Sequence, residues 1–183
     1  MSKLFVNACA RENSRTLVIA KDVIQKIGGD VVELELFKEG LKELDTERLK
    51  KRDLLLKKND LDDPMFFYAK QFAEADEIII AAPFWDLSFP AALKIYIENI
   101  TVSGITFQYI DGRPKGLCRA KKLTYVTTSG GEIFEDFGYT YLRALAKSFY
   151  GIPETVAVRA MNLDVMQIDA ESVLKDADIS VVY

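Results

Sequence analysis

Short runs of apolar, β-branched residues alternate along this chain with longer stretches in which apolar positions recur every three or four residues. That is the pattern of strands interleaved with helices. Residues 3–8, 31–37, 77–82, 122–128 and 155–160 are the predicted strands. Ile78-Ile79-Ile80-Ala81-Ala82 is apolar without alternation, as a strand covered on both faces requires. After the first run, Leu17, Ala20, Val23, Ile24 and Ile27 share one helical face, and Gly28-Gly29 supplies the stop. A second helix is predicted over 64–75, buried through Phe66, Phe67, Ala69, Phe72 and Ala73. Pro90 opens a third, in which Leu93, Tyr96, Ile97 and Ile100 keep the i, i+3, i+4, i+7 spacing. A fourth covers 135–150 and a short fifth 170–176. Five strands with helices between them predict a doubly wound parallel α/β sheet, in a single domain spanning residues 1–183.

Composition narrows the chemistry more than the fold. The 183 residues are 49% hydrophobic, enough for one sizeable core, and 10 glycines and 5 prolines are too few for a low-complexity chain. The balance of 24 basic against 28 acidic residues, net −4, argues against nucleic-acid binding through phosphate neutralisation. Arg48, Lys50, Lys51, Arg52, Lys57 and Lys58 look basic in isolation, but the stretch 38–63 holds eight basic and eight acidic residues with the signs interspersed. It reads as a solvated helix-and-loop excursion. The two cysteines, Cys9 and Cys118, form no C-x-x-C pair and suit a reducing compartment. Cys9 is either a small core-lining thiol or, beside a helix N-terminus, a reactive one. The chain runs from Met1-Ser2-Lys3 straight into Leu4-Phe5-Val6, which leaves no room for a signal peptide. No apolar run reaches the ~20 residues that span a bilayer, so a cytoplasmic protein without membrane partners is expected.

The sequence contains no histidine. Ser/His/Asp and Cys/His triads, His-ligated metals and the commonest general base are thereby excluded. Chemistry must run on a bound cofactor, a carboxylate, a tyrosine, a lysine or a cysteine.

In an open parallel sheet, ligands bind beyond the carboxyl ends of the strands, where strand order reverses. Three turns meet that condition. The turn after the first strand lacks glycine, which removes the G-x-G-x-x-G and G-x-x-x-x-G-K-[ST] phosphate loops. It offers instead Arg11-Glu12-Asn13-Ser14-Arg15-Thr16 at the start of a helix: hydroxyls, a guanidinium and orphan N–H groups suited to a phosphate monoester, or simply to N-capping. After the third strand, Pro83-Phe84-Trp85-Asp86-Leu87 carries the only tryptophan, a shelf for a flat heterocycle or a hydrophobic plug. After the fourth, Ser129-Gly130-Gly131 lets backbone N–H groups approach a ligand, or forms an ordinary turn. Taken together, the three turns describe a mononucleotide carrying a flat ring.

These residues resemble a known family. Ser14-x-Thr16, Pro83-Phe84-Trp85-Asp86 with Phe89-Pro90-Ala91-Ala92-Leu93-Lys94-x-Tyr96, Gly104-Ile105-Thr106-Phe107-x-Tyr109, Gly116-Leu117, Lys121-Lys122 and Ser129-Gly130-Gly131 are similar to the flavodoxin-like NAD(P)H:quinone reductases and FMN-dependent NADH azoreductases. The resemblance implies a flavodoxin-like sheet of order 2-1-3-4-5 with helices on both faces. It also implies tightly bound FMN, NADH or NADPH as co-substrate, a quinone, azo or nitro compound as acceptor, and a homodimer with its active sites at the subunit interface. By matching positions, Arg11, Ser14 and Thr16 would hold the phosphate. Pro83, Phe84, Trp85 and Asp86 would line the isoalloxazine, and Ser129, Gly130 and Gly131 would face its pyrimidine end. Some relatives carry a Tyr or His after the glycine turn that assists protonation; here Glu132-Ile133-Phe134-Glu135-Asp136 departs from that pattern, with Tyr139 and Tyr141 further along, of which Tyr139 is the candidate for the role. A flavodoxin-type electron carrier without nicotinamide turnover is the competing reading.

Overall fold

The structure is a computed structural model that describes residues 2–165. Five parallel strands form the central sheet: β1 (Lys3–Asn7), β2 (Val31–Glu35), β3 (Glu77–Ala81), β6 (Lys122–Thr128) and β7 (Glu154–Ala160). Their order is β2-β1-β3-β6-β7, every neighbouring pair parallel. The predicted doubly wound order holds. The chain moves outward from β1 to β2 and then crosses back to β3, so the order reverses between β1 and β3.

Apolar strand positions split cleanly between the two faces. Leu4, Val6, Ile78, Ile80, Leu123 and Tyr125 belong to one buried cluster. Phe5, Ile79, Ala81 and Val126 belong to the other. Consecutive residues of β1 and β3 therefore feed opposite cores, which is why their sequences show no polar alternation. The first face is covered by α3 (Phe67–Glu74), α4 (Ala91–Ile100) and α5 (Phe137–Leu145), which contribute Phe72, Leu93, Tyr96 and Leu142 to its core. On the second face, α1 (Arg15–Ile27) inserts Ile19, Ala20 and Val23.

Several boundaries differ from the sequence pattern for identifiable reasons. The second strand stops at Glu35 because Lys38 N–H bonds back to the Glu35 carbonyl and turns the chain. Within the charged excursion lies α2 (Thr46–Lys58), capped by Asp45, with Leu55 as its one buried residue. The predicted helix over 64–75 is a 3-10 turn, Pro64–Phe66, capped by Asp63 and continued by α3. The fourth predicted helix begins two residues late, at Phe137, and ends in a π-helical turn over Ala146–Tyr150. A hairpin of β4 (Phe107–Ile110) and β5 (Arg113–Gly116) stands between α4 and β6 as a separate two-stranded sheet. The hydrophobic pattern gives no sign of it. The predicted helix over 170–176 lies outside the described residues.

The start of α5 is fixed by charge. Asp136 Oδ1 accepts the Tyr139 N–H at 2.8 Å. Its Oδ2 accepts Arg159 Nε at 3.1 Å and Nη2 at 2.8 Å, and both side chains are largely withdrawn from solvent. Asp136→Ala removes a helix cap and strands a nearly buried guanidinium. We expect a loss of about 3 kcal/mol in urea unfolding, with Asp136→Asn costing about half as much. A loss below about 1 kcal/mol in the alanine variant would contradict this reading.

Candidate functional site

A cavity of about 350 Å³ opens at the carboxyl ends of β1, β3, β6 and β7. This is where the strand order reverses, and the volume lies within the range of small-molecule sites. Seven of the ten residues picked out as cofactor contacts line it: Arg11, Ser14, Thr16, Pro83, Phe84, Trp85 and Gly130. Asp86, Ser129 and Gly131 are not part of the lining. Five residues that the sequence patterns did not assign to the cradle or the ring contribute as well: Ala10, Arg15, Thr128, Leu163 and Asp164.

The floor is the first turn of α1. Ser14 Oγ accepts the Leu17 N–H at 3.4 Å and so caps the helix. Val18 N–H returns to the Ser14 carbonyl, leaving the Arg15 and Thr16 N–H groups with no intrahelical acceptor. Thr16 is 1% exposed, and its hydroxyl shares a 2.6 Å hydrogen bond with that of Thr128. That bond stitches the first turn of α1 to the end of β6. Thr16 thus offers the cavity chiefly its N–H and one remaining hydroxyl lone pair. With Arg11 and Arg15 against Asp164, the lining carries two cations and one anion among the described residues, a balance that favours an anionic ligand.

The aromatic wall is shaped by a strained turn. Trp85 and Ser88 exchange both backbone hydrogen bonds, at 3.1 and 2.8 Å. The two residues between them, Asp86 and Leu87, both adopt left-handed backbone with φ of 51° and 65°. This is the geometry of a type I′ turn, which leucine adopts at a cost of roughly 1–2 kcal/mol. Phe137 N–H holds the Leu87 carbonyl at 3.0 Å, so the turn is braced by α5. Trp85 is 41% exposed, a large apolar ring held open at the cavity rim. Asp86 occupies the turn itself.

The glycine turn works differently from its sequence reading. Gly130 and Gly131 do not use left-handed backbone. A Cβ on Gly130 would collide with the carboxylate of Asp164, whereas one on Gly131 would meet nothing. Gly130 is small because a neighbouring side chain fills its space. The carbonyls of Ser129, Gly130 and Gly131 accept the N–H groups of Leu163, Asp164 and Asn162, and the Ser129 hydroxyl also donates to the Gly131 carbonyl. The Ser129 N–H is taken up by the Ala160 carbonyl at 3.0 Å, so the N–H groups of Gly130 and Gly131 are what the turn retains for a ligand.

Tyr139, the candidate proton donor, is 3% exposed. Its hydroxyl lies 3.1 Å from the Thr155 carbonyl and 3.2 Å from Thr155 Oγ1. Thr155 sits at the start of β7, the end of the strand away from the cavity. Cys9, behind the first turn, is half-buried; burial raises its thiol above the usual range, the Ser14 hydroxyl pulls it partly back, and Glu33 adds to the rise. The thiol is kept protonated, as befits a packing residue. Among the described residues no cluster of acidic or sulfur ligands could hold a metal ion.

Comparison with known proteins agrees with this geometry. The family model described as "Flavodoxin-like fold" matches residues 1–179. The FMN-dependent NADH:quinone oxidoreductase 2 of Clostridium acetobutylicum is 40% identical over 190 residues, covering 96% of this chain and 94% of the relative. The FMN-dependent NADH:quinone oxidoreductase of Coprothermobacter proteolyticus is 35% identical, covering 95% and 92%. Among solved structures, an azoreductase from Bacillus anthracis superposes with a TM-score of 0.79 at 25% identity, covering 96% of this chain and 93% of that one. A cavity at the sheet's reversal point, floored by the N-terminus of α1 and walled by an aromatic turn, is thus matched by sequence likeness along nearly the whole chain, which belongs to the flavodoxin-like family of FMN-dependent NADH:quinone oxidoreductases.

Proposed function

We propose that this protein is an FMN-dependent oxidoreductase, acting as one domain over 1–183, that passes hydride from NADH to a quinone or azo acceptor. The observation that carries the reading is the donor set of the cavity. Two guanidiniums, two orphan helix N–H groups and the Ser14 and Thr16 hydroxyls converge below an exposed tryptophan. This set fits a phosphate monoester joined to a flat ring.

Held there, FMN would supply the hydride chemistry that links NADH to the acceptor. The protein has to hold and shield it. Arg11, Ser14 and the first-turn N–H groups of α1 fix the phosphate. Pro83, Phe84 and Trp85, in the lining, would hold the flat ring by packing against it. Gly130, in the lining, would offer its N–H as a fixed dipole to stabilise negative charge on the reduced flavin. With no histidine in the chain and Tyr139 bonded to Thr155, the proton that the reduced acceptor takes up would come from solvent.

The reading extends to a second copy of the chain. A mainly apolar groove of about 510 Å³ between α4 and α5 is lined by Ser88, Phe89, Lys94, Tyr141, Ala144 and the exposed Phe137, with the exposed Leu87 next to Ser88 in the chain. Such a contiguous patch beside a ligand cavity supports a homodimer whose partner covers the aromatic wall. No described helix is long and apolar enough to cross a membrane, and two free half-buried thiols suit a cytoplasmic location.

The test of the function is steady-state NADH oxidation by FMN-loaded protein with a benzoquinone acceptor. Turnover that requires both FMN and quinone is the expected result. Stoichiometric FMN binding without turnover on either nicotinamide would point to an electron carrier instead.

A further inference from the structure

Arg15 is held by an anion from within the protein. Its Nη1 donates to Asp164 Oδ1 at 2.7 Å and to the Leu163 carbonyl at 3.1 Å, across 149 residues of sequence. The other side of the Asp164 carboxylate packs where a side chain on residue 130 would lie. Asp164 N–H in turn bonds the Gly130 carbonyl at 3.0 Å. Both Arg15 and Asp164 line the cavity, and both are substantially solvent-exposed, at 45% and 69% of their side-chain surface. An ion pair this wet is weak and exchangeable. It sits beside a cradle whose proposed occupant carries a phosphate dianion.

We infer that Asp164 is an internal competitor for Arg15, a carboxylate that pairs with the guanidinium and contests it with the phosphate of FMN. Two features of the geometry bear on this. Arg15 stands at the first position of α1, next to the orphan N–H groups of the cradle, so its side chain needs only to swing from Asp164 to reach a phosphate bound there. Asp164 is also the one carboxylate in the cavity lining among the described residues. It lowers phosphate affinity by occupying a cation, and it leaves recognition of the ring untouched. Asp164 is therefore a positioning residue that sets how tightly the phosphate end is held, and with it how strongly FMN is preferred over riboflavin, which has the same ring without the phosphate.

The inference rests on the FMN reading above, and the experiment separates the two. Apoprotein is titrated with FMN and with riboflavin by flavin fluorescence, for the wild type, Asp164→Asn, Arg15→Gln and the double variant, with a thermal melt of each apoprotein as a check on folding. Asp164→Asn is expected to bind FMN about fivefold more tightly and riboflavin as the wild type does. In the Arg15→Gln background the same substitution is expected to change FMN affinity less than twofold, because the contested cation is gone. FMN affinity that is unchanged or weaker in Asp164→Asn overturns the inference, as does an equal gain for riboflavin or a full gain without Arg15. Failure of the wild type to bind FMN at all overturns the proposed function itself.

Discussion

Replacing Ser14 with aspartate weakens FMN binding roughly a hundredfold while leaving the apoprotein as stable as the wild type. The two halves of that result have separate causes. Ser14 caps α1 through its Oγ. Aspartate caps a helix equally well and its charge complements the helix dipole, so the fold loses nothing. A carboxylate at that position, however, lines the cavity next to the proposed phosphate. Two like charges of a dianion a few ångströms away, in a partly solvated site, cost about 3 kcal/mol. Fluorescence titration with FMN checks the first half and a thermal melt of the apoprotein the second. Unchanged affinity would remove Ser14 from the cradle.

Gly116→Ala is expected to be the most damaging single-methyl change in the described fold. A Cβ at residue 116 would overlap the carbonyl group of Tyr150 and the N–H of Gly151. Those atoms are backbone and cannot rotate aside. The clash falls where the β4–β5 hairpin joins the core. Cys118 N–H bonds the Tyr150 carbonyl at 3.2 Å and Leu117 N–H bonds the Thr106 carbonyl at 2.9 Å. The Phe107 ring meets Phe149 edge-on at 5.0 Å between centroids, and the Tyr150 hydroxyl is paired with Thr101 at 2.7 Å. Prising the hairpin away disturbs all of these, and we expect a loss of at least about 4 kcal/mol, seen in urea unfolding or as loss of soluble protein. Gly131→Ala, whose Cβ would meet nothing, is the control and should cost less than about 1 kcal/mol. Equal stability of the two variants would contradict the packing described here.

The sheet was readable from the chain because each of its strands carries its own burial signal. The hairpin was not. Phe107–Ile110 and Arg113–Gly116 are four residues each, the second of them polar and containing a proline, too short for a period to show. One local sign was available: Asp111-Gly112, both left-handed with φ of 50° and 73°, is a strong hairpin-turn dipeptide. At the site, the local segments after β1 and β3 were legible because their chemistry is contiguous in sequence. Asp164 was not, since its significance lies in reaching Arg15 and filling the space at Gly130 from the far end of the sheet. Asp136 stood in a segment that looked like a departure from the family pattern, and its pairing with Arg159 is a long-range contact no motif encodes. Tyr139 shows the reverse error available to sequence reading. Its place shortly after the glycine turn suggests a proton donor, but as a residue of the buried stripe of α5 it is turned into the core.

The central claim is that the cavity at the reversal of the sheet holds FMN and exchanges hydride with NADH. Anaerobic mixing of FMN-loaded protein with NADH, followed by the visible absorbance of the flavin, tests it in one observation. Rapid and complete bleaching at one NADH per flavin is the predicted result. Protein that takes up no FMN, or bound flavin that keeps its colour in excess NADH, would contradict the account.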